Sequence, residues 1–283
     1  MNDAPSACPS PSVCSWSLRP REATDLAAMV RQTGGDSIQL ALMPLLDGGP
    51  WANAASVLAK ESISITSGMV SMAGEDYSTL ESIARTGGVR PDATWPENLR
   101  RCREAAALAE DLGLRLVTFH AGFIPEDAAD PGRDAVLGRL RELADLFADR
   151  GIRIGLETGQ ETADTLLEAL EALEALDRPE VGVNFDPANM ILYGMGDPVA
   201  SLSKLAPRVV QMHAKDAVPT EVPGTWGREV PLGEGAVDWP ALLAVAATIP
   251  NLPIAIEREA GEHRVEEIRI ARERLTAWWP MGR

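Results

Sequence analysis

Short runs of apolar and β-branched residues alternate along the chain with longer stretches in which apolar residues recur at helical spacing. Eight short runs predict strands, at 13–16, 37–42, 62–66, 114–120, 152–157, 181–186, 209–213 and 253–257. Helices are predicted between the strands, among them 24–33, 97–112, 133–150, 162–176 and 265–278. Eight strands that are each followed by a helix or its loop predict an α/β fold, a single closed (β/α)8 TIM barrel.

One barrel domain is predicted for residues 13–283, because no linker rich in proline, glycine or serine interrupts the alternation. Residues 1–12 predict a flexible lead-in that lacks the basic start and apolar core of a secretory signal, so we expect a cytoplasmic protein. The longest uncharged apolar stretch, 241–249, is too short to span a bilayer. The long connections 68–97 and 214–240 are expected to form binding loops over one mouth of the barrel.

Acidic residues outnumber basic ones by 42 to 26 among the 283 residues, which gives a formal net charge of −16. Nucleic acids and anionic membrane surfaces are bound through lysine and arginine, so neither is expected as a partner. A small neutral ligand or a metal cation fits this charge better. The three cysteines, Cys8, Cys14 and Cys102, have unrelated spacings and are expected to be free thiols.

Polar side chains collect at the carboxyl ends of five predicted strands. Side chains alternate between the two faces of a strand, and in 152–157 the isoleucines and Leu156 take the apolar face under the helices. Glu157 then points toward the barrel axis, and the same argument applies to the other strands. Barrel enzymes hold their active sites at this end, so the sequence predicts an active site there. The inward residues are His120, Glu157, Asn184, Asp186, His213, Lys215 and Glu257.

Three inward carboxylates would repel one another and take up protons unless a cation neutralised them. One inward glutamate alone is more often an ion-pair partner than a ligand, but four converging residues favour a metal. The predicted metal ligands are Glu157, Asp186, His213 and Glu257. Three oxygens and one nitrogen suit Mn²⁺, Mg²⁺ or Co²⁺, and Zn²⁺ stays as an alternative.

Other polar residues near these strand ends allow two interpretations each. His120 is either a buried, hydrogen-bonded histidine or a substrate ligand, and Lys215 either binds substrate or pairs with the acidic site. Asp216 has the outward parity, which indicates a structural role. The glycine-rich segment 233–235 lacks the Lys-Ser/Thr of a P-loop and is interpreted as a mouth loop.

Six segments carry a resemblance to a known family: LVTFHAGF, IGLETGQET, VGVNFDPANMILYGMGDP, VVQMHAKDA, PLGEGAVDW and IAIERE. In order and spacing they resemble the xylose isomerase-like sugar phosphate isomerase/epimerase superfamily, which includes ketose 3-epimerases and inosose dehydratases. The resemblance runs from about residue 14 to residue 278. It implies a TIM barrel with one divalent metal held by Glu157, Asp186, His213 and Glu257.

In ketose 3-epimerases of that family the two glutamate ligands also move protons, which implies catalytic roles for Glu157 and Glu257. The chain departs from the epimerase pattern at Asn189, where a histidine is usual, and at the Thr-Gly-Gln segment 158–160. A second branch of the fold cleaves DNA at abasic sites with three zinc ions and many histidines. The three histidines of this chain and its negative charge argue against that branch.

The resemblance implies a divalent-metal-dependent isomerase or epimerase that abstracts the proton α to the carbonyl of a keto sugar through a metal-stabilised enediolate. His120, Lys215, Asn184 and Asn189 are the expected substrate-binding residues. The first alternative is a lyase or dehydratase that uses the same site on a keto-inositol or a 3-keto-glycoside. The second is a non-catalytic sugar-binding barrel. A homodimer or homotetramer is a further expectation from the resemblance.

Overall fold

Ten strands are found in the part of the chain that the computed structural model describes, residues 9–127, 129–174 and 180–280. They are β1 Ser12–Cys14, β2 Ser37–Ala41, β3 Ser64–Met69, β4 Leu116–Phe119, β5 Arg153–Glu157, β6 Gly182–Phe185, β7 Val209–Ala214, β8 Asp216–Val218, β9 Arg228–Val230 and β10 Ile254–Ile256. Eight of these pair in parallel, and β10 closes the barrel by pairing with both β7 and β1. The predicted (β/α)8 barrel is therefore confirmed.

Helices cover the barrel from outside, and most follow a strand. They are α1 Ala23–Gln32, α2 Met43–Leu46, α3 Ala54–Lys60, α4 Leu80–Thr86, α5 Trp95–Asp111, α6 Pro131–Ala148, α7 Ala163–Glu174, α8 Pro187–Tyr193, α9 Pro198–Leu205, α10 Trp239–Ala246 and α11 Arg264–Trp278. An Asp-Pro pair begins three of them: the aspartate oxygen accepts a backbone N–H, and proline fits the first helical position. Among the described helices, none is both long and apolar enough to cross a membrane.

The hydrophobic core fills the layer between the barrel and these helices. Three phenylalanines are fully buried there: Phe119 of β4, Phe147 of α6 and Phe185, the last residue of β6. Along β5, Ile154 and Leu156 join this core while Glu157 does not, as period-two alternation requires. The polar side chains of the strands are left to the barrel interior.

The third strand lies later in the chain than the sequence pattern indicates. It was expected at 62–66 but is found at Ser64–Met69. Ser62 has a φ of 54°, so it belongs to the turn after α3 rather than to an extended strand. The strand continues through Gly68, where a Cβ would come 2.8 Å from the Leu42 side chain. The first strand is also shorter than expected, because residues Ser15–Leu18 form a 3₁₀ helix.

The other predicted strands and helices end within two residues of the described ones, whereas the hairpin of β8 and β9, inside the connection predicted at 214–240, was not predicted. The last two residues of the helix predicted at 162–176 fall outside the described residues, as do Cys8 and residues 1–8 of the predicted lead-in. Strand β1 begins at Ser12, while the division into lead-in and one domain stays a prediction. Cys14 and Cys102 are buried free thiols.

Candidate metal and active site

Four side chains from four strands meet at the carboxyl end of the barrel. Glu157 ends β5, Asp186 follows β6, His213 lies in β7 and Glu257 follows β10. One possible ligand atom of each lies within 4.8 Å of the other three, and all four side chains are buried. The structure thus brings together the complete set of predicted metal ligands.

Two atoms of this cluster are buried without a hydrogen-bond partner, His213 Nδ1 and Asp186 Oδ2. His213 Nδ1 lies 3.1 Å from Glu257 Oε2, 3.3 Å from Glu157 Oε1 and 3.7 Å from Asp186 Oδ2. Unpaired buried polar atoms are costly, and the four residues together offer three oxygens and one nitrogen within 4.8 Å of one another. The cluster therefore fits a divalent cation and could hold one.

Gln39 of β2 orients the imidazole of His213. The Gln39 amide nitrogen donates to Thr118 Oγ1 at 2.8 Å, which leaves its oxygen 2.8 Å from His213 Nε2. A neutral imidazole protonated on Nε2 donates to this oxygen and has its lone pair on Nδ1, whereas Asn184 Nδ2, 3.0 Å from the same Nε2, can donate only to the other tautomer. The Gln39 oxygen can only accept, so Gln39 favours the tautomer with the lone pair on Nδ1. The histidine thus presents a metal-binding nitrogen to the three carboxylates.

Asp186 has two oxygens with separate surroundings. Oδ1 accepts from the backbone N–H groups of Ala188 and Asn189 at 2.8 and 3.0 Å and caps helix α8. Oδ2 lies 3.7 Å from Lys215 Nζ and makes no hydrogen bond. Burial raises the pKa of this carboxyl to about 6, although the charge of Lys215 opposes the shift. The cap fixes the aspartate while its second oxygen stays free for a ligand.

The two glutamates differ in how firmly they are held. Trp16 Nε1 donates to Glu257 Oε1 at 2.5 Å, and Lys215 Nζ donates to Oε2 at 3.2 Å. Burial opposes ionisation, but Lys215 and His213 outweigh it and hold the pKa of Glu257 well below its usual range. Glu157 accepts only amide hydrogen bonds, 3.1 Å from Asn189 and a long 3.4 Å from Asn184. Burial raises its pKa, but His120 and His213 give a net lowering.

Lys215 and Asn189 connect the two sides of the site. The Asn189 amide donates to Glu157 Oε1, and its oxygen accepts from Lys215 Nζ at 3.3 Å. Lys215 Nζ also donates to Glu257 at 3.2 Å and to Glu259 Oε2 at 3.0 Å. Of the two interpretations of Lys215, its contacts match pairing with the acidic site.

A cavity of about 590 Å³ opens above the four ligands. Glu157, Glu257, Asn189, Lys215 and His120 line it; the two long connections supply further walls, among them Glu75, Tyr77, Trp226 and Glu229. His120 Nε2 lies 3.6 Å from Glu157 Oε1, and its Nδ1 is buried without a partner. Asn184 does not line the cavity. It is fully buried and contacts His213 Nε2 and Glu157, the position of a residue that orients ligands.

Sequence reasoning missed several residues of this site. Gln39 has the same inward parity on its strand as Glu157 on β5, so alternation could have found it. Trp16 and Glu259 lie beyond the ends of β1 and β10, where alternation no longer applies. Tyr77 comes from a loop, and no local pattern indicates its position.

Asp216 and the glycine segment 233–235 form a separate, structural cluster. Asp216 is buried and accepts from the N–H groups of Ala217, Gly233, Gly235 and Val237 and from Trp239 Nε1, at 2.7 to 3.3 Å. A Cβ at Gly235 would lie 2.0 Å from Asp216 Oδ1. The segment folds around this aspartate and does not line the cavity, and its interpretation as a mouth loop stays a prediction.

The chain is thus a closed parallel barrel with a buried cluster at its carboxyl mouth that could hold a metal. A model of the xylose isomerase-like TIM barrel family matches residues 27–278. The chain belongs to the xylose isomerase-like TIM barrel family.

Solved and curated proteins give further comparisons. The crystal structure of a xylose isomerase domain protein from Planctomyces limnophilus has a TM-score of 0.80 and 31% identity, covering 89% of this chain and 91% of that one. An L-ribulose 3-epimerase shares the fold at a TM-score of 0.71 and 14% identity, covering 95% and 94%. A 3-oxo-isoapionate decarboxylase from Pectobacterium atrosepticum is 30% identical over 115 residues, 40% of this chain. The match spans 41% of the length of that curated relative.

Proposed function

We propose that the protein is a divalent-metal-dependent isomerase or epimerase that acts on a keto sugar or a close derivative. The observation that carries the proposal is the convergence of four buried ligand atoms, two of them unpaired, at the floor of a cavity that two glutamates also line. Family membership supports an enzyme of sugar chemistry. A cytoplasmic location and a homodimer or homotetramer remain predictions.

Glu157, Asp186, His213 and Glu257 would hold the ion, and their three oxygens and one nitrogen favour Mn²⁺, Mg²⁺ or Co²⁺. A bound divalent ion supplies Lewis acidity, which stabilises the negative charge that develops on a carbonyl oxygen as the α-proton leaves. A metal ion can bind a ring nitrogen of His213 only when that nitrogen carries no proton, so a charged imidazole must first lose one of its two protons. Burial disfavours a charged imidazole, but Glu157 and Glu257 hold the pKa of His213 well above its usual value without a metal.

The chain supplies the proton transfers through Glu157 and Glu257. These residues leave strands β5 and β10, which are separated in the barrel by β6 and β7, and both side chains line the cavity. One carboxylate can remove the proton from one face of the α-carbon, and the other can return a proton to the opposite face. His120, beside Glu157, is placed to bind a substrate hydroxyl.

A lyase is the second candidate, because the two glutamates are unequal. Glu257 is held by Trp16 and Lys215 and has the lower pKa, which makes it the weaker base. Glu157 lies beside His120, which could protonate a leaving group. An elimination requires one base and one acid rather than two opposed bases. Dehydration of a keto-inositol or cleavage of a 3-keto-glycoside would use the site in this way.

The test combines metal analysis with turnover of ketoses, inososes and keto-glycosides in D₂O. For an epimerase, Glu157→Gln and Glu257→Gln each lower kcat by about 10²–10⁴-fold, and solvent deuterium enters the carbon α to the carbonyl. For a lyase, Glu157→Gln is crippling, Glu257→Gln acts mainly through weaker metal binding, and an unsaturated or cleaved product forms. Glu262→Gln, an exposed substitution of the same kind, is the control. A fully active preparation without metal contradicts both candidates.

A further inference from the structure

We propose that the cavity takes an uncharged carbohydrate that carries an apolar substituent, and that it rejects phosphorylated and carboxylated sugars. The inference rests on the proposed function, since it assumes that the cavity is a sugar site. It follows from two features of the cavity, the charges of its lining residues and the composition of one wall.

Negative charge dominates the cavity. Among the described lining residues, five are glutamates, at positions 75, 157, 229, 257 and 259, while the basic ones are Lys215 and His120. A divalent ion together with Lys215 would balance the three ligand carboxylates, and Arg258 pairs with Glu229, which leaves Glu75 and Glu259 in excess. A phosphate or carboxylate on the substrate would therefore enter a site that is already anionic, and like charges in a partly dry cavity repel strongly.

Lys215, the cation that an anionic group would need, is already engaged. Its ammonium group has three hydrogens, and it has acceptors at Asn189 Oδ1, Glu257 Oε2 and Glu259 Oε2, at 3.3, 3.2 and 3.0 Å. Glu259 lines the cavity and its side chain is half-exposed, so one of the three acceptors of the lysine is a carboxylate that solvent reaches.

Arg258, the neighbour of Glu259 in the sequence, is not available to the cavity. Its guanidinium bonds Glu229 at 2.6 Å and Glu267 at 2.7 Å, and it does not line the cavity. Recognition of phosphate groups usually depends on an arginine fork or a free lysine. The described residues of the cavity offer neither.

One wall of the cavity is aromatic. Tyr193 follows the metal ligand Asp186 by seven positions, and Trp226 comes from the loop that joins β8 and β9. Their rings pack edge to face with centroids 4.8 Å apart, and Phe123 packs on Tyr193 at 5.9 Å. Tyr77, from the other long connection, is 44% exposed. Exposed aromatic faces beside a polar floor are typical of sites for ligands with a polar and an apolar end.

A free ketose can use the floor, where its hydroxyls find Glu157, Asn189 and His120, but it has little to place against the aromatic wall. An apolar or aromatic group attached to the sugar would bury that wall. The geometry therefore points to a glycoside or similar conjugate rather than a free sugar or a sugar phosphate.

The test measures binding of probes that cannot react, by calorimetry with Mn²⁺-loaded protein. The probes are glucitol, phenyl β-glucoside, glucitol 6-phosphate and gluconate. Phenyl β-glucoside is expected to bind about tenfold more tightly than glucitol, and the two anions to bind more weakly than either. Anions that bind as tightly as phenyl β-glucoside, or a phenyl group that adds nothing, overturn the proposal.

Two variants examine the two features separately. Trp226→Ala should weaken phenyl β-glucoside about tenfold while glucitol is unaffected, and Trp51→Ala, outside the cavity, should change neither. Glu259→Gln removes the charge paired with Lys215 and should increase the affinity for glucitol 6-phosphate and gluconate, whereas Glu262→Gln removes the same charge elsewhere and should not. No gain in Glu259→Gln contradicts the charge argument.

The outcome is distinguishable from failure of the proposed function. None of the probes turns over, so binding preferences are measured whether or not the protein is an isomerase. If phenyl β-glucoside binds as expected but no ketone is converted in D₂O, the proposed reaction fails and the binding inference stands.

Discussion

Two buried aspartates lie beside neighbouring strands of the barrel, and their carboxylates have opposite surroundings. Asp216 accepts five hydrogen bonds, so both of its oxygens are satisfied. Asp186 accepts two on one oxygen and none on the other. A carboxylate with hydrogen bonds to both oxygens holds the surrounding backbone in place, whereas one with a free oxygen can still bind a ligand.

The same contrast separates two regions of the molecule. Around Asp216, backbone N–H groups of the segment 233–237 donate hydrogen bonds to the carboxylate. Around Asp186, a helix N-terminus holds one oxygen, while His213 Nδ1 and Lys215 Nζ each lie 3.7 Å from the other without a hydrogen bond to it. Stability and function are thus assigned to different aspartates, and the two can be disturbed separately.

The largest expected effect on stability comes from Asp216→Ala. It leaves five donors without their buried acceptor, and we expect a loss of about 3–5 kcal/mol in the free energy of unfolding. Urea unfolding measures this, with the helix cap Asp197→Ala as a control that should cost about 1 kcal/mol. The folded fraction should bind Mn²⁺ as tightly as wild type does. A cost no larger than that of the control would show that the five bonds are not structural.

Asp186→Asn should have the opposite profile. The side-chain oxygen that caps α8 is retained while the charge is lost, so Mn²⁺ affinity should fall at least about 100-fold. Stability of the metal-free protein should hold or rise, because burial raises the pKa of Asp186 to about 6. At neutral pH the carboxylate is ionised in both states, and burying that charge in the folded state costs free energy that an amide does not. Calorimetry with Mn²⁺ and urea unfolding after chelation measure the two quantities. Unchanged affinity would remove Asp186 from the ligand set.

Glu161 is another buried carboxyl, and it has no ion-pair partner among the described residues. Burial raises its pKa from 4.5 to about 8. Between these values the folded state holds a proton that the unfolded state has lost, so stability should fall as pH rises, by at most about 1.4 kcal/mol per pH unit. Above pH 8 this contribution levels off. The difference between wild type and Glu161→Gln in urea unfolding from pH 5 to 9 should show the slope; parallel curves would contradict it.

The smallest effect is expected at Gln39. Gln39→Leu removes the acceptor for His213 Nε2–H, so the imidazole can adopt the other tautomer and Mn²⁺ affinity should fall about tenfold. Gln39→Glu retains an acceptor and should restore most of the affinity. With three histidines in the chain, ¹⁵N NMR can assign the tautomer of His213 directly. Asn98→Leu removes another buried amide, one that contacts Ala73 and Thr94, and should leave the tautomer unchanged; a shift in it would show that amide removal in general is responsible.

The sequence predicted the barrel and the four clustered residues because both depend on a local rule. Alternation along a strand places Glu157 inward wherever the strand lies, and parallel strands bring their carboxyl ends to one mouth. The rule fails where the backbone leaves the strand. Trp16 reaches Glu257 from a 3₁₀ turn, and Trp226 meets Tyr193 only after a hairpin has folded over the mouth. Ser62 shows the same limit, since its positive φ shifted the start of β3.

The hydrogen bond from Trp16 to Glu257 joins residues 241 positions apart. A ribosome adding about 5–20 residues per second needs on the order of 10–50 seconds to pass from one to the other. During that interval β1 has been made but has no β10 to pair with, and three of the four clustered residues precede the last one. A nascent chain would therefore expose an unfinished acidic mouth until its final strand emerges. Full metal affinity should therefore appear only after β10 has been synthesised and has paired with β1.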